Sequence, residues 1–254
     1  MKKPNVLLTN DDGYQAAGLR ALAEELREFA HVSIVAPSWE RSGAAQSLTL
    51  RQPIVCHKIA ENEWAIDGTP ADCVIVALHK LLSEPPDLVI SGINQGANLG
   101  ENVYYSGTVG AAREAVIHHV HGLAVSLCSK KVNADFAPTA RLAKETAELI
   151  LSEGLPEQVL LNINVPEGWK GAVRLTRQSK KITRTVLREG ADPRGSRYFW
   201  LSEQPIDREM ELDAASDYAA IFAGEASVTP LHLDPTHGQS LKRLLHWAAK
   251  LVQK

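Results

Sequence analysis

Short apolar runs alternate along the first two-thirds of the chain with segments whose apolar residues recur at helical spacing. Asn5 to Thr9 (NVLLT) is an apolar strand that stops at the polar NDDG, and Ala16 to Phe29 then carries Leu19, Leu22, Ala23 and Leu26 on one helical face. His31 to Ala36 (HVSIVA) reads as a second buried strand, ended by Pro37 before the polar loop SWERSGAAQ. Asp87 to Ser91 (DLVIS) and Leu123 to Cys128 repeat the strand type. Helices are expected from Thr108 to Val120 and from Thr139 to Leu151, the latter with Leu142, Ala143, Thr146 and Ile150 on one face. Strands alternating with helices predict an α/β fold: a Rossmann-like, mostly parallel sheet flanked by helices.

Several stretches depart from that rhythm. Ser47 to Asp67 contains the alternating segments SLTLR, PIVCH and EWAID, which predict a small β excursion of antiparallel strands. Thr69-Pro70-Ala71-Asp72 places a cap, a proline and an acid where a helix start wants them, ahead of ADCVIVALHKLL. A long polar, glycine-rich loop is expected from Gly92 to Gly107, and loops of such length in compact domains usually serve function. The α/β pattern ends near Leu160 to Pro166. Arg177 to Pro205, basic and polar with the aromatic cluster Tyr198-Phe199-Trp200, predicts a projecting C-terminal arm. A short strand at Ala226 to Thr229 and an amphipathic terminal helix from Ser240 to Val252, striped by Leu241, Leu244, Leu245 and Ala248, follow. The expected division is a core over residues 1–170 and a C-terminal part over 171–254, used for oligomerisation.

Composition narrows the function classes. With 254 residues, 44% of them apolar, the chain can fill a sizeable core, and a net charge of -3 argues against a surface for nucleic-acid polymers. Cys56, Cys73 and Cys128 are far apart with no C-x-x-C pair, so all three are expected as buried thiols. The apolar run after Met1 is too short for a secretion signal and no run is long enough to span a membrane, which predicts a soluble, reduced, cytoplasmic protein.

In open α/β sheets ligands bind outside the carboxyl ends of the strands. Three polar loops fall there: NDDG (Asn10 to Gly13), ERSG (Glu40 to Gly43) and SGINQGANLG (Ser91 to Gly100). The neighbouring acids Asp11 and Asp12 repel each other unless compensated, and hard oxygen ligands suit Mg²⁺, Mn²⁺ or Ca²⁺. A helix N-cap followed by an Asp-Gly turn explains the same letters equally well. Gly92, Gly96 and Gly100 recur every fourth residue, each followed two positions later by Asn94, Asn98 and Asn102. These are neutral ligands or phosphate-facing amides, or else turn residues taking positive φ. Ser106-Gly107-Thr108 opens a helix, where N–H groups and the macrodipole suit a phosphate and where an ordinary N-cap also belongs. His118, His119 and His121 are expected only to satisfy a helix end, while His232 and His237 are left undecided between a site and a turn. Dinucleotide, P-loop and nucleophile-elbow motifs are absent.

Taken in order and spacing, TNDDG, APSWERSG, DGTPADCV, DLVISGINQGANLGENVYYSGTVGAAREA, LNINVP and SVTPLHLDPT resemble the survival protein SurE family of metal-dependent 5'/3'-nucleotidases. The resemblance implies one divalent metal, Mg²⁺ or Mn²⁺, on Asp11, Asp12, Ser42 and Asn94, with Asp11 and Asp12 also catalytic. It implies phosphate binding by Asn98, Ser106, Gly107 and Thr108. It further implies hydrolysis of nucleoside monophosphates by a metal-activated water, polyphosphate as a further substrate, and assembly into a homodimer or homotetramer through the arm and final helix. In the tail the match loosens, with Ser216-Asp217-Tyr218 where many members carry Thr-Asp-Trp or Thr-Asp-Tyr. An aspartyl-phosphate route through Asp11 and a non-catalytic nucleotide-binding or assembly role are the alternatives.

Overall fold

Residues 3–180, 183–205 and 213–252 are described by the computed structural model, and they build a nine-stranded mixed sheet with helices on both faces. In chain order the first elements are β1 (Asn5–Thr9), α1 (Ala17–Leu26), β2 (His31–Pro37), β3 (Cys56–Ala60), β4 (Glu63–Ile66) and α2 (Pro70–Val76). They are followed by β5 (Leu88–Gln95), α3 (Gly107–Ile117), β6 (His121–Cys128), α4 (Ala137–Glu153) and β7 (Val159–Pro166). The C-terminal part adds β8 (Val173–Leu175), β9 (Thr183–Ala191), β10 (Arg197–Pro205), α5 (Asp217–Phe222), β11 (Ala226–His232) and α6 (Gly238–Val252).

The sheet order is β3-β4-β2-β1-β5-β6-β7-β11-β8. From β4 across to β7 every neighbouring pair is parallel, and β3 and β11 run antiparallel to the parallel block. Side-chain alternation explains why the inner strands read as unbroken apolar runs. Val6 and Leu8 of β1, Ile34 and Ala36 of β2, and Leu88 and Ile90 of β5 join one core with α1 and α4. Leu7, Val35 and Val89, one register position away, join the opposite core with α2 and α3. A strand covered on both faces favours apolar residues at successive positions. Leu7 and Leu8 are both fully buried, each contributing ~1.5–3 kcal/mol relative to an exposed side chain.

The capping box at the start of α2 forms as the sequence suggests: Asp72 N donates to Thr69 Oγ1 at 3.1 Å and Thr69 N donates to Asp72 Oδ2 at 2.8 Å. The helix then widens into a π-helical turn over Ala77–Leu81. The β excursion differs from expectation in two ways. SLTLR (47–51) forms no strand, because Thr49 instead donates its N–H and hydroxyl to Asp72 at 3.0 and 2.6 Å. The other two segments extend the main sheet, with β4 parallel to β2 and only β3 reversed. Cys56, expected to be buried, is exposed because it lies on that edge strand; Cys73 is buried and Cys128 is half-buried. The loop expected from Gly92 to Gly107 is partly ordered: β5 continues to Gln95, and a 3₁₀ turn occupies Gly100–Tyr104.

Beyond residue 170 the chain returns to the sheet, with β11 pairing antiparallel to β7 and Ala226 buried in the α1–α4 core. The segment that fitted no buried strand is a separate two-stranded hairpin, β9–β10, exposing Tyr198, Phe199 and Trp200. α6 exposes Leu241, Leu244, Leu245, Trp247 and Leu251. No helix among the described residues is long and apolar enough to cross a membrane.

Candidate functional site

β1 lies in the middle of the sheet with β2 on one side and β5 on the other, so the chain leaves it in one direction and later returns on the opposite side. That reversal opens a crevice at the carboxyl ends of β1 and β5, the place where open α/β sheets bind ligands. A cavity of about 590 Å³ occupies it. NDDG follows β1, ERSG lies in the loop after β2, and SGIN closes β5, so three segments far apart in sequence converge on one cavity.

Asp11 and Asp12 do not cap the helix that follows them. The N-cap of α1 is Ala16, with no side-chain hydrogen bond, which removes the helix-cap explanation of the acidic pair. Instead Asp11 Oδ1 accepts from the hydroxyl of Thr108 at 2.6 Å, and Asp12 Oδ2 accepts from Gln95 N at 3.0 Å. Asp11 is only 4% exposed. Burial raises its carboxyl above the usual range, against the Thr108 hydroxyl and the backbone of Thr108 and Gly107, which favour the charged form. Burial likewise pushes Asp12 up to about 6; the Gln95 amide opposes this and the charges of Asp11 and Glu40 reinforce it. Two carboxylates are thus held together in a setting that penalises their charge.

The amino end of α3 meets Asp11. A Cβ on Gly107 would stand 2.8 Å from Asp11 Cβ and 2.9 Å from Asp11 Oδ2, so only glycine permits the helix to approach the carboxylate this closely. Ser106 is the N-cap, its hydroxyl accepting from Val109 N at 3.1 Å, and its side chain also lines the cavity. Thr108 is fully buried and its hydroxyl is committed to Asp11, so of the Ser-Gly-Thr turn Ser106 alone lines the cavity.

Asn94 donates through Nδ2 to Gly96 O at 2.8 Å, which leaves its amide oxygen as the group to offer a cation. Ser42 donates to Glu40 Oε1 at 2.8 Å, leaving the serine oxygen's lone pairs for a ligand. Gly92, Gly96 and Gly100 all take positive φ, whereas Asn94, Asn98 and Asn102 do not, so the turn geometry falls to the glycines. Asn98 is held rigidly by residues from β6 and β7. Its N–H donates to Asn164 Oδ1 at 2.8 Å, its carbonyl accepts from Asn162 and Asn164 at 2.9 and 3.1 Å, and its Nδ2 donates to Ser126 Oγ at 2.8 Å.

The sequence reading did not single out Glu40, the Asn162–Asn164–Ser126 clamp, or the arm residues Thr185, Leu201 and Glu203 that wall the cavity. Asp217, noted in the sequence only within the Ser216-Asp217-Tyr218 tail motif and given no role there, is fully buried, and its carboxylate accepts from Gly100 N at 2.7 Å, Ser179 N at 3.2 Å and its neighbour Tyr218 N at 2.8 Å. The asparagines of LNINVP, polar at inward positions of a buried strand, were the available signal. His232 and His237 brace local turns, their Nδ1 atoms accepting from Asp234 N and Ser240 N at 3.0 and 3.2 Å, and neither lines the cavity. His118 pairs with Glu114 at 3.2 Å.

Comparison with known proteins identifies the family. The family model of survival protein SurE matches residues 6–185. The chain belongs to the SurE family. Among its relatives in the family, 5'-nucleotidase SurE of Geotalea daltonii is 43% identical over 245 residues, spanning 95% of this chain and 98% of the relative. 5'-nucleotidase SurE of Geobacter sulfurreducens is 42% identical over 247 residues, spanning 96% and 93%. The crystal structure of the SurE protein from Aquifex aeolicus superposes with a TM-score of 0.85 at 36% identity, covering 96% of this chain and all of that one. The Rossmann-like mixed sheet is therefore the SurE fold.

Among the described residues lining the cavity four are carboxylates, Asp11, Asp12, Glu40 and Glu203, and none is Lys or Arg. No group of three His, Cys, Asp or Glu side chains suited to a metal occurs among the described residues. A cation there would rest on two carboxylates plus neutral oxygens, a donor set that suits a hard divalent ion and not zinc.

Proposed function

We propose that this protein is a divalent-metal-dependent phosphohydrolase that removes phosphate from nucleoside 5'- and 3'-monophosphates. The observation that carries the proposal is the charge of the cavity. A phosphomonoester dianion entering a space that, among the described residues, is walled by four carboxylates and no basic side chain is repelled unless a cation accompanies it. The relatives named 5'-nucleotidase SurE support a nucleoside monophosphate as that dianion's source.

Asp11, Asp12, Ser42 and Asn94 would hold one Mg²⁺ or Mn²⁺ ion, through two charged and two neutral oxygens. Bound there, such an ion supplies a lowered pKa for a water and offsets the charge that builds on the transferring phosphoryl group. The residues of the chain supply position and proton transfer. Thr108 fixes Asp11 against rotation, and the more accessible Asp12 takes the proton from the attacking water. Ser106, the residue of the Ser106–Thr108 turn that lines the cavity, would meet the phosphate, and Asn98, braced by Asn162 and Asn164, would border it from the opposite strand end. The exposed apolar stripe of α6 and the aromatic hairpin, both within residues 171–254, support assembly as a homodimer or homotetramer. Polyphosphate is a further substrate compatible with a cation-filled cavity.

Phosphate release from AMP and GMP, measured with Mn²⁺, with Mg²⁺ and with EDTA, tests this. Release that EDTA abolishes and either metal restores is the expected result. Absence of EDTA-sensitive release from every monophosphate overturns it in favour of a non-catalytic nucleotide binder.

A further inference from the structure

The phosphate end of the cavity uses Asp11, Asp12 and Ser106, yet the space is about 590 Å³, within the range of pockets that enclose a whole small molecule. Beyond the phosphate end, one wall is the 3₁₀ turn Gly100–Tyr104 and the residue after it, which present Asn102 and Tyr105 to the cavity. The chain enters this turn at Gly100, where φ is 53°. The bond that holds the turn at its start comes from outside the cavity: Gly100 N donates to Asp217 Oδ2 at 2.7 Å.

Asp217 opens α5, is fully buried and does not line the cavity. Its other oxygen, Oδ1, accepts from Tyr218 N at 2.8 Å and from Ser179 N at 3.2 Å, and its own N–H donates to Arg177 O at 3.0 Å. Ser179 lies at the root of the arm, just ahead of β9. Packing around Gly100 is as close as the bond. A Cβ there would stand 2.9 Å from Tyr218 Cε2, 3.0 Å from Lys180 O and 3.1 Å from Ser179 Oγ, so the turn is seated in a socket made by the arm root and α5. A hydrogen bond to a charged acceptor is one of the stronger ones inside a protein, and a buried N–H left without a partner is costly. The metal residues are tied elsewhere: Asp11 to Thr108, Asp12 to Gln95 N and Asn94 to Gly96 O.

We propose that Asp217 is a positioning residue for substrate binding: through Gly100 N it holds the 3₁₀ turn as the wall that receives the nucleoside part of the substrate. The inference rests on the nucleotidase reading above and adds to it a residue that touches neither metal nor substrate. Without this bond the turn occupies its binding-competent position only part of the time, and apparent affinity falls by that fraction.

The division of the carboxylate gives the test. In Asp217→Asn the amide oxygen can stay with the N–H groups of Ser179 and Tyr218, while its NH₂ meets the Gly100 N–H, donor against donor. Gly100→Ala disturbs the same seat from the side of the turn. KM and kcat for GMP with saturating Mn²⁺, and Mn²⁺ affinity by calorimetry, are measured in both variants below their melting temperatures. KM is expected to rise about tenfold with kcat and Mn²⁺ affinity unmoved, the signature of lost binding alone. A purely structural role gives the opposite split, a lower apparent kcat at fixed KM as folded enzyme is lost, and that result overturns the proposal. Unmoved KM and kcat, or weakened Mn²⁺ binding, overturn it as well. If only Gly100→Ala folds, its split decides. A wild type that releases no phosphate from GMP or any other monophosphate fells the nucleotidase reading and this inference with it, an outcome distinct from an active enzyme whose KM does not move.

Discussion

Asp12→Asn should abolish metal-dependent turnover and at the same time make the metal-free protein more stable. The folded carboxyl of Asp12 is pushed up to about 6, chiefly by burial, from an ordinary 3.8. A group whose folded pKa is raised favours folding in its protonated form, so its charge costs stability progressively as pH rises from about 3.8 to about 6. At pH 7 the cost is ~3 kcal/mol, from the difference between the two values at ~1.36 kcal/mol per unit. Asparagine keeps an oxygen for the Gln95 amide and removes the charge. For a chain of this size the gain corresponds to a rise in Tm of about 6–12 °C. Thermal melts in EDTA at pH 7 and at pH 4 measure it: the variant should be the more stable at pH 7, with the difference nearly gone at pH 4. Added Mn²⁺ should raise the melting temperature of the wild type and leave the variant unmoved, since only the species that binds is stabilised. A variant that melts at or below the wild type at pH 7 in EDTA would refute the claim that this site stores electrostatic strain. Near-wild-type turnover with saturating Mn²⁺ would refute the role of Asp12 altogether.

Gly107→Ala places a Cβ 2.8 Å from that of Asp11, and moving the carboxylate or the helix to admit it should cost ~1–3 kcal/mol and weaken Mn²⁺ binding, read by denaturant titration and calorimetry. Asn164→Ala takes away both the acceptor for Asn98 N and a donor to Asn98 O, so it should lower stability by ~1–3 kcal/mol and reduce kcat in the Mn²⁺-supported assay. Thr108→Val keeps the shape of a buried side chain but strips Asp11 of its hydroxyl donor. The charged form of Asp11 loses support, and Mn²⁺ affinity should fall most at the acidic end of a pH 5.5–8 titration, where binding competes hardest with protonation.

Local pattern was enough to find most of the architecture. The apolar runs at β1, β2, β5 and β6, the periodic face of α4 and the Thr69–Asp72 capping box are properties of short stretches, and each element formed within a few residues of its expected bounds. The acids of NDDG could be found in the same way, because two adjacent carboxylates after a buried strand are conspicuous wherever the chain goes next. What short stretches do not encode is who answers a polar group across the fold. SLTLR alternates like a strand, yet Asp72, 23 residues away, takes the N–H of Thr49. Asp11 and Asp12 looked equally like a helix cap until Thr108 and Gln95, 97 and 83 residues distant, accounted for their oxygens. Thr108, in turn, read as part of a phosphate cradle and is spent on a carboxylate. Glu203 has no local signature at all; only the path of the hairpin brings it to Asn102, 101 residues earlier. The sequence by itself determined the elements and the acidic pair, since backbone preference and burial act within a few turns of chain. Tertiary structure alone decided the hydrogen-bond partners, the unusual proton affinities and the walls of the cavity, because these depend on desolvation and on contacts that exist only once distant strands lie side by side.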